Sequence, residues 1–270
     1  MTRVNSPSWD PRQYERFADE RVRPFRDLVA RVPTRAPRDV VDLGCGPGNA
    51  TATLADRWPE ARVLGIDSSA DMVAAAGALA RPGRLEFRHG DLTAWRPPDG
   101  GVDVIVSNAV LQWVPGHTDL FPAWVAALRP GGSLAIQVPS DGMAARDVFR
   151  AVATSPAWAD RLAAVSRGPG PHGESPVRPV EDYVDALATL GLSVDAWETT
   201  YLHVLPGQDP VLEWFAGTGL RPYFDALAGD PDALARFRAE AAESLRAVYP
   251  SRPYGTVLPF RRTFVVGSRA

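Results

Sequence analysis

The sequence predicts an α/β fold in which a mostly parallel sheet is flanked by helices. Three observations carry that reading. Between Val40 and Pro139, short strand-like runs alternate with helix-like periods. The runs "DVVDL" and "VDVIV" are apolar on both faces, as suits strands covered by helices from both sides. The stretch "VVDLGCGPGNAT", Val40 to Thr51, then joins a strand to a helix through an acid and three glycines within five residues.

Each element has its own reason. Asp10 and Pro11 form an N-cap and first turn, and Tyr14, Phe17, Phe25, Leu28, Val29 and Val32 follow at near-helical spacing, although Pro24 should break or kink that helix. Then come the strand "DVVDL", the helix "NATATLADRW", the strand "ARVLGID" and the helix "SADMVAAAGALA". The strands "RLEFRHGD" and "VDVIVSNA", the helix "LFPAWVAAL" and the strand "GSLAIQVP" complete the alternation. After Pro139 the regularity fades, and "SRGPGPHGESPVRP", Ser166 to Pro179, reads as a loop. "VEDYVDALATLG" reads as a helix stopped by Gly191, and "SVDAWETTYLHVLP" as a strand. In "DPDALARFRAEAAESLRAVYP", Asp230 caps, Pro231 starts the helix, and Leu234, Phe237, Ala241, Leu245 and Val248 form the buried stripe. "RRTFVVGSR" is a closing strand, and no internal repeat is visible. The order describes a Rossmann-like sheet in a single domain, 1–270. Its core is about 34–140 plus strands at about 192–205 and 257–269, with a helical cap from about 8–32, 141–190 and 207–250.

Composition narrows the function. The net charge is −3 with no lysine, all 29 basic residues being arginine, so the basic footprint of a nucleic-acid binder is missing. Any anion site must therefore use guanidinium groups, histidine or backbone N–H. The single cysteine, Cys45, allows neither an intrachain disulfide nor a cysteine-rich metal site, and no metal is expected. The longest apolar run, Met72 to Ala80, is far short of the ~20 residues that cross a bilayer. "MTRVNSPSWDPRQ" has no apolar core of a secretion signal, so a cytoplasmic location without membrane association is expected.

Gly44, Gly46 and Gly48 do not follow the G-x-G-x-x-G fingerprint of dinucleotide sites, because Asn49 stands where the third glycine belongs. Asp42, just before the turn, would repel a pyrophosphate but suits a cationic amino-acid moiety. Asp67 ends the next strand and can take ribose hydroxyls, or else is a helix N-cap, a role that Ser68 or Ser69 could fill instead. Asp91 can accept from an adenine amine while the Leu92 N–H donates to the ring, or it is only a turn residue. Three such signals at successive strand ends reinforce one another, since ligands collect there in open α/β sheets.

"VVDLGCGPGNAT", "LGIDSS", "GDLTAW", "VSNAVLQWV" and "LRPGGSLAI" resemble the ordered motifs of class I S-adenosylmethionine-dependent methyltransferases. The resemblance implies a seven-stranded sheet whose last strand is antiparallel. It implies S-adenosylmethionine as cofactor and S-adenosylhomocysteine as product. Asp42 and the glycines would hold the methionine end, Asp67 the ribose, and Asp91 with Leu92 the adenine. Ser68, Met72, Asn108, Ala109 and Trp113 fall in the same cofactor motifs. "WDPRQYERFADERVRP", "NAVLQWVPGHTDLFPAWV", "WETTYLHVLP" and "GTGLRPYF" further resemble the trans-aconitate 2-methyltransferase family, which esterifies a carboxylate of a tricarboxylic acid.

A carboxylate acceptor is ionised at neutral pH, so no general base is needed and positioning should dominate catalysis. Counter-charges for a polyanion are sought among Arg21, Arg23, Arg221, Arg261, Arg262, His117 and His203. Tyr201 alternates with His203 on one strand face, Tyr14 is a candidate lid residue, and Trp113 is a candidate wall near the adenine and methyl group. Cys45 is a small residue in the turn rather than a nucleophile. Three rival readings are a nicotinamide-dependent oxidoreductase, a cofactor-binding protein without catalysis, and a methyltransferase of another acid or amine. A monomer or weak homodimer acting on a small carboxylic acid is expected.

Overall fold

The computed structural model describes residues 18–140, 143–167 and 176–270. The readings at Asp10, Pro11, Tyr14 and Phe17, and at the Arg21 side chain, lie outside what it describes. So does most of the loop 166–179, whose first residues, Ser166 and Arg167, belong to a helix.

In chain order the elements are α1 (Ala18–Ala30), β1 (Asp39–Leu43), α2 (Asn49–Arg57), β2 (Arg62–Asp67), α3 (Ala70–Ala76), β3 (Leu85–His89) and β4 (Val102–Asn108). There follow α4 (Phe121–Ala127), β5 (Leu128–Pro139), α5 (Ala144–Ala153), α6 (Ala159–Arg167), α7 (Val180–Thr189) and β6 (Ser193–Leu205). The chain closes with α8 (Pro210–Ala216), α9 (Arg221–Leu227), α10 (Pro231–Val248), the two-residue β7 (Ser251–Arg252) and β8 (Gly255–Ser268). The strands lie in the order β3-β2-β1-β4-β5-β8-β6, with β7 paired to β8. The first five run parallel, and β8 runs antiparallel to β5. The expected seven-strand path is thus present, with β7 as a hairpin appended to it.

The described chain forms two compact units. The first holds Ala18–Ser140, Pro176–Thr199 and Arg262–Ala270; the second holds the described part of Asp141–Ser175 together with Thr200–Arg261. In the first unit, one face of the sheet carries Val41, Leu43, Ile105, Ile136 and Val265, packed with Phe121 and Trp124 of α4 and Tyr183 and Leu187 of α7. Full burial of such side chains contributes ~1.5–3 kcal/mol each. Helices α1 and α7 fall in segments that the sequence reading gives to the cap, yet they pack in this sheet-bearing unit. Pro24 does not end α1; the helix continues through it.

The amino ends of the strands are closed by ion pairs. Arg129 reaches Asp39 at 2.8 Å and Asp103 at 2.7 Å, and Asp103 also accepts the backbone N–H groups of Arg38 and Asp39. The opposite, carboxyl ends are where the chain makes its glycine turn.

The second unit is helical, with Phe149, Trp158, Phe215, Tyr223, Phe237 and Leu245 in its core. Asp230 caps α10 by accepting the Ala233 N–H at 3.0 Å. The buried stripe of α10 is Ala233, Phe237, Ala241, Ala242 and Leu245, whereas Val248, expected within it, is 43% exposed. The stripe follows i, i+4 steps from Ala233, so the last turn carries it past Val248.

Candidate active site

Asp42 sits near the carboxyl end of β1, 2% exposed. Thr51 of α2 donates to its Oδ2 at 2.6 Å, while Oδ1 is buried with no hydrogen-bond partner among the described residues. Burial pushes this carboxyl up to about 7, helped by the nearby Asp67 charge and opposed by the Thr51 bond. A buried carboxylate with one oxygen unsatisfied is a site prepared for a cation.

The turn after β1 is built for backbone exposure. Gly44 has φ +88°, and a Cβ there would lie 2.6 Å from Val110. Gly46 has φ +55°, and a Cβ there would meet nothing within 4 Å, so this part of the turn faces open space. Gly48 caps α2 in the left-handed conformation. Cys45 is buried, its Sγ donates to the Gly46 carbonyl at 3.6 Å, and burial with the Asp42 and Asp67 charges raises its thiol pKa. It is a neutral packing residue.

Asp67, at the end of β2, accepts the Gly46 N–H at Oδ2 (2.8 Å) and the Ser69 N–H at Oδ1 (2.9 Å). It therefore ties the glycine turn to the next strand. The cap of α3 is Ser69, whose Oγ accepts the Met72 N–H at 3.3 Å; neither Asp67 nor Ser68 fills that position. Each carboxylate oxygen keeps a second lone pair for a hydroxyl donor. Ser68 is exposed and Met72 buried. Asp91, exposed after β3, accepts the Thr93 N–H at 2.8 Å and caps the short turn Leu92–Ala94, while the Leu92 side chain is buried.

At the end of β4, Asn108 Oδ1 is buried without a partner among the described residues. Ala109 has φ +55°, a conformation that costs a non-glycine residue roughly 1–2 kcal/mol. Its N–H donates to the Gln137 carbonyl at 2.8 Å and its carbonyl accepts from Gln112 Nε2 at 2.6 Å, so both sides of the strained residue are held. Trp113 is half-buried at the end of the following turn, Leu111–Trp113.

Acceptor-side candidates separate by unit. In the first unit, Arg262 on β8 is 6% exposed, Arg23 is exposed on α1, and His117 is 1% exposed. His117 is engaged on both ring nitrogens. Its Nδ1 meets the Val114 carbonyl at 3.1 Å, its Nε2 meets the Tyr183 hydroxyl at 2.9 Å, and the ring stacks on Tyr183. Burial lowers its pKa, so it is a neutral ring in the apolar layer of Phe121 and Tyr183, on the sheet face opposite Asp42. In the second unit, Tyr201 and His203 share a buried strand face, with His203 stacked on Trp214 at 4.7 Å. Arg221 opens α9 and its Nε lies 2.8 Å from Asp225 one turn later, so it already holds a carboxylate of its own helix. Arg261 is exposed.

Gln137 was not among the expected residues. It is fully buried on β5, and neither Nε2 nor Oε1 has a partner among the described residues. Its only trace in the sequence is one amide within the apolar run "LAIQVP".

A glycine turn and acids at three successive strand ends of a Rossmann-like sheet, the first of them buried, define a methyltransferase class: residues 40–132 match the family described as Methyltransferase domain. Curated relatives extend over nearly the whole chain. The trans-aconitate 2-methyltransferase of Streptomyces avermitilis is 51% identical, with 97% of each chain covered. That of Streptomyces coelicolor is 49% identical, covering 98% of this chain and 88% of the relative. Among solved structures, the cyclopropane synthase MmaA2 of Mycobacterium tuberculosis superposes with a TM-score of 0.56 at 17% identity, over 90% of this chain and 82% of that one. The chain belongs to the trans-aconitate 2-methyltransferase family.

Proposed function

We propose that this enzyme transfers a methyl group from S-adenosylmethionine to a carboxylate of trans-aconitate, giving the methyl ester and S-adenosylhomocysteine. The observation that carries the reading is the 51% identity to a trans-aconitate 2-methyltransferase over 97% of both chains. The strand-end residues fit the cofactor. Asp42, with one oxygen unsatisfied, takes the ammonium of the methionine end, and the exposed backbone at Gly46 lets that end approach closely. Asp67 takes the ribose through the lone pairs left by Gly46 and Ser69, and Asp91 with Leu92 takes the adenine; Ser68, Met72, Asn108, Ala109 and Trp113 complete that side. The cofactor supplies an electrophilic methyl on a sulfonium.

The chain's own part is positioning. A carboxylate acceptor has a pKa near 4 and arrives ionised, so no residue need remove a proton. Aligning the reactants can contribute up to roughly 7–11 kcal/mol. Arg262 is the cation assigned to the acceptor in the sheet-bearing unit, because it is buried on β8 beside the carboxyl end of β5. The same reading takes the enzyme as a cytoplasmic monomer or weak homodimer with neither nucleic-acid nor membrane partners; the net charge of −3 agrees with this, and no helix among the described residues is long and apolar enough to cross a membrane. The test is a mass-spectrometric assay with S-adenosylmethionine and a panel of di- and tricarboxylic acids. A methyl ester of trans-aconitate with stoichiometric S-adenosylhomocysteine is expected. Turnover confined to amines, or binding of NADH in place of S-adenosylmethionine, would overturn the reading.

A further inference from the structure

We propose that the side-chain amide of Gln137 is a specificity-determining group that hydrogen-bonds a carboxylate of the acceptor acid. The inference deepens the methyl-transfer reading above and rests on it. Register places the residues concerned. Asp42 pairs with Val106, Asn108 with Gln137, Gln137 with Phe264 and Pro139 with Arg262. Paired residues and residues two apart share a sheet face, so Asp42, Asn108, Gln137 and Arg262 all occupy one face at the carboxyl ends of β1, β4 and β5. The intervening Thr263 lies on the other face, where its hydroxyl, that of Ser140 and the carboxylate of Glu198 bond one another at 2.8–3.1 Å.

Distance separates two uses of this face. Gln137 stands two strands across from Asp42 and two residues further along, which puts the two Cα atoms roughly 12 Å apart. With both side chains standing off the sheet, that spacing sets Gln137 to one side of the group that Asp42 would hold. It suits a group beyond the reacting methyl, where the acceptor lies. Arg262, buried on the same face, adds a cationic group to this corner.

The amide's state supplies the second argument. Gln137 is 0% exposed, and among the described residues both of its polar atoms lack partners, as does Oδ1 of Asn108 on the paired strand. Two adjacent buried amides that do not satisfy each other are costly in the ligand-free protein. An acceptor carboxylate would take the Gln137 N–H, and a polycarboxylic acid would have a further oxygen for Arg262. A hydrocarbon side chain of similar volume would remove the burden of the buried amide but not replace the bond.

The test uses Gln137→Leu and Gln137→Glu in the full-length enzyme. Wild-type turnover of trans-aconitate is measured first, and absence of any acid turnover sinks the function and this inference together. Given turnover, Gln137→Leu should raise KM for trans-aconitate ~10–100-fold, the loss of one or two hydrogen bonds to a charged group. Its Tm should hold or rise, and Kd for S-adenosylhomocysteine by calorimetry should stay within about twofold. Gln137→Glu should raise KM further, by facing one carboxylate with another. An unchanged KM in a folded Gln137→Leu variant would overturn the inference alone, showing the amide to be a packing residue. So would a weakened Kd for S-adenosylhomocysteine with normal KM, which would make it a cofactor contact.

Discussion

On the proposed assignment of Asp42 to the cofactor's ammonium, cofactor binding is a proton-release reaction. The Asp42 carboxyl is pushed up to about 7 by burial and the nearby Asp67 charge, against the opposing bond from Thr51, the one donor to it among the described residues. The ammonium of the cofactor needs the ionised form, so below neutrality the enzyme must lose a proton before that contact forms. For one group titrating near 7, affinity should weaken roughly 25-fold between about pH 7.5 and about pH 5.5. It should fall again only at more alkaline pH, where the ligand's own α-amino group becomes neutral. Calorimetry with S-adenosylhomocysteine, run in two buffers of different ionisation enthalpy, reads both Kd and the proton released, which should approach one at about pH 6. The Asp42→Asn variant should lose the acid limb, keep the alkaline one, and bind some ten- to a hundredfold more weakly near pH 8. The sign for folding runs the other way. A carboxyl raised in the folded state contributes stability that is present below its unfolded pKa and lost as pH rises through about 7. This group therefore favours the ligand-free fold in acid and the complex above neutrality. A flat Kd across the acid range in the wild type, or an unchanged slope in Asp42→Asn, would refute the reasoning.

Other expectations are local. Asp67→Ala removes the acceptor of the Gly46 and Ser69 N–H groups, so S-adenosylhomocysteine binding should weaken at least tenfold, and amide exchange at Gly46 should quicken. His117→Ala leaves a cavity and strips the Tyr183 hydroxyl of its acceptor; a cost of ~2–4 kcal/mol should lower the Tm by about 5–10 °C while KM for the acid stays normal. A changed KM at normal stability would return His117 to the acceptor site. Asp103→Asn should destabilise near neutral pH. Burial raises this carboxyl, but the N–H groups of Asp39 and Arg38 and the charge of Arg129 outweigh it and lower the pKa. Its contribution is therefore present above the unfolded value and lost in acid, and melting curves of wild type and variant should converge as the pH falls below the usual carboxylate range.

The residues proposed for the cofactor could be named from the sequence because their pattern is local. Asp42, three glycines and the acids at Asp67 and Asp91 occupy fixed offsets from strand ends, and the apolar runs that make the strands are visible in one dimension. The α/β class and the parallel order followed from the same alternation. What each polar group does there required the tertiary fold. Asp67 turned out to anchor the Gly46 turn, and the α3 cap fell to Ser69, because the chain brings backbone N–H groups to a carboxylate that sequence shows only as a strand-ending acid. The acceptor side was least legible. Arginine and histidine mark an anion site by chemical type alone, and type does not report a partner. Folding gave His117 to Tyr183 and Arg221 to Asp225. Gln137, hidden in an apolar strand, acquired significance only when strand pairing set it on the face of Asp42 and Arg262. Register is a property of neighbouring strands far apart in the chain, and a one-residue slip would have turned that amide to the opposite face.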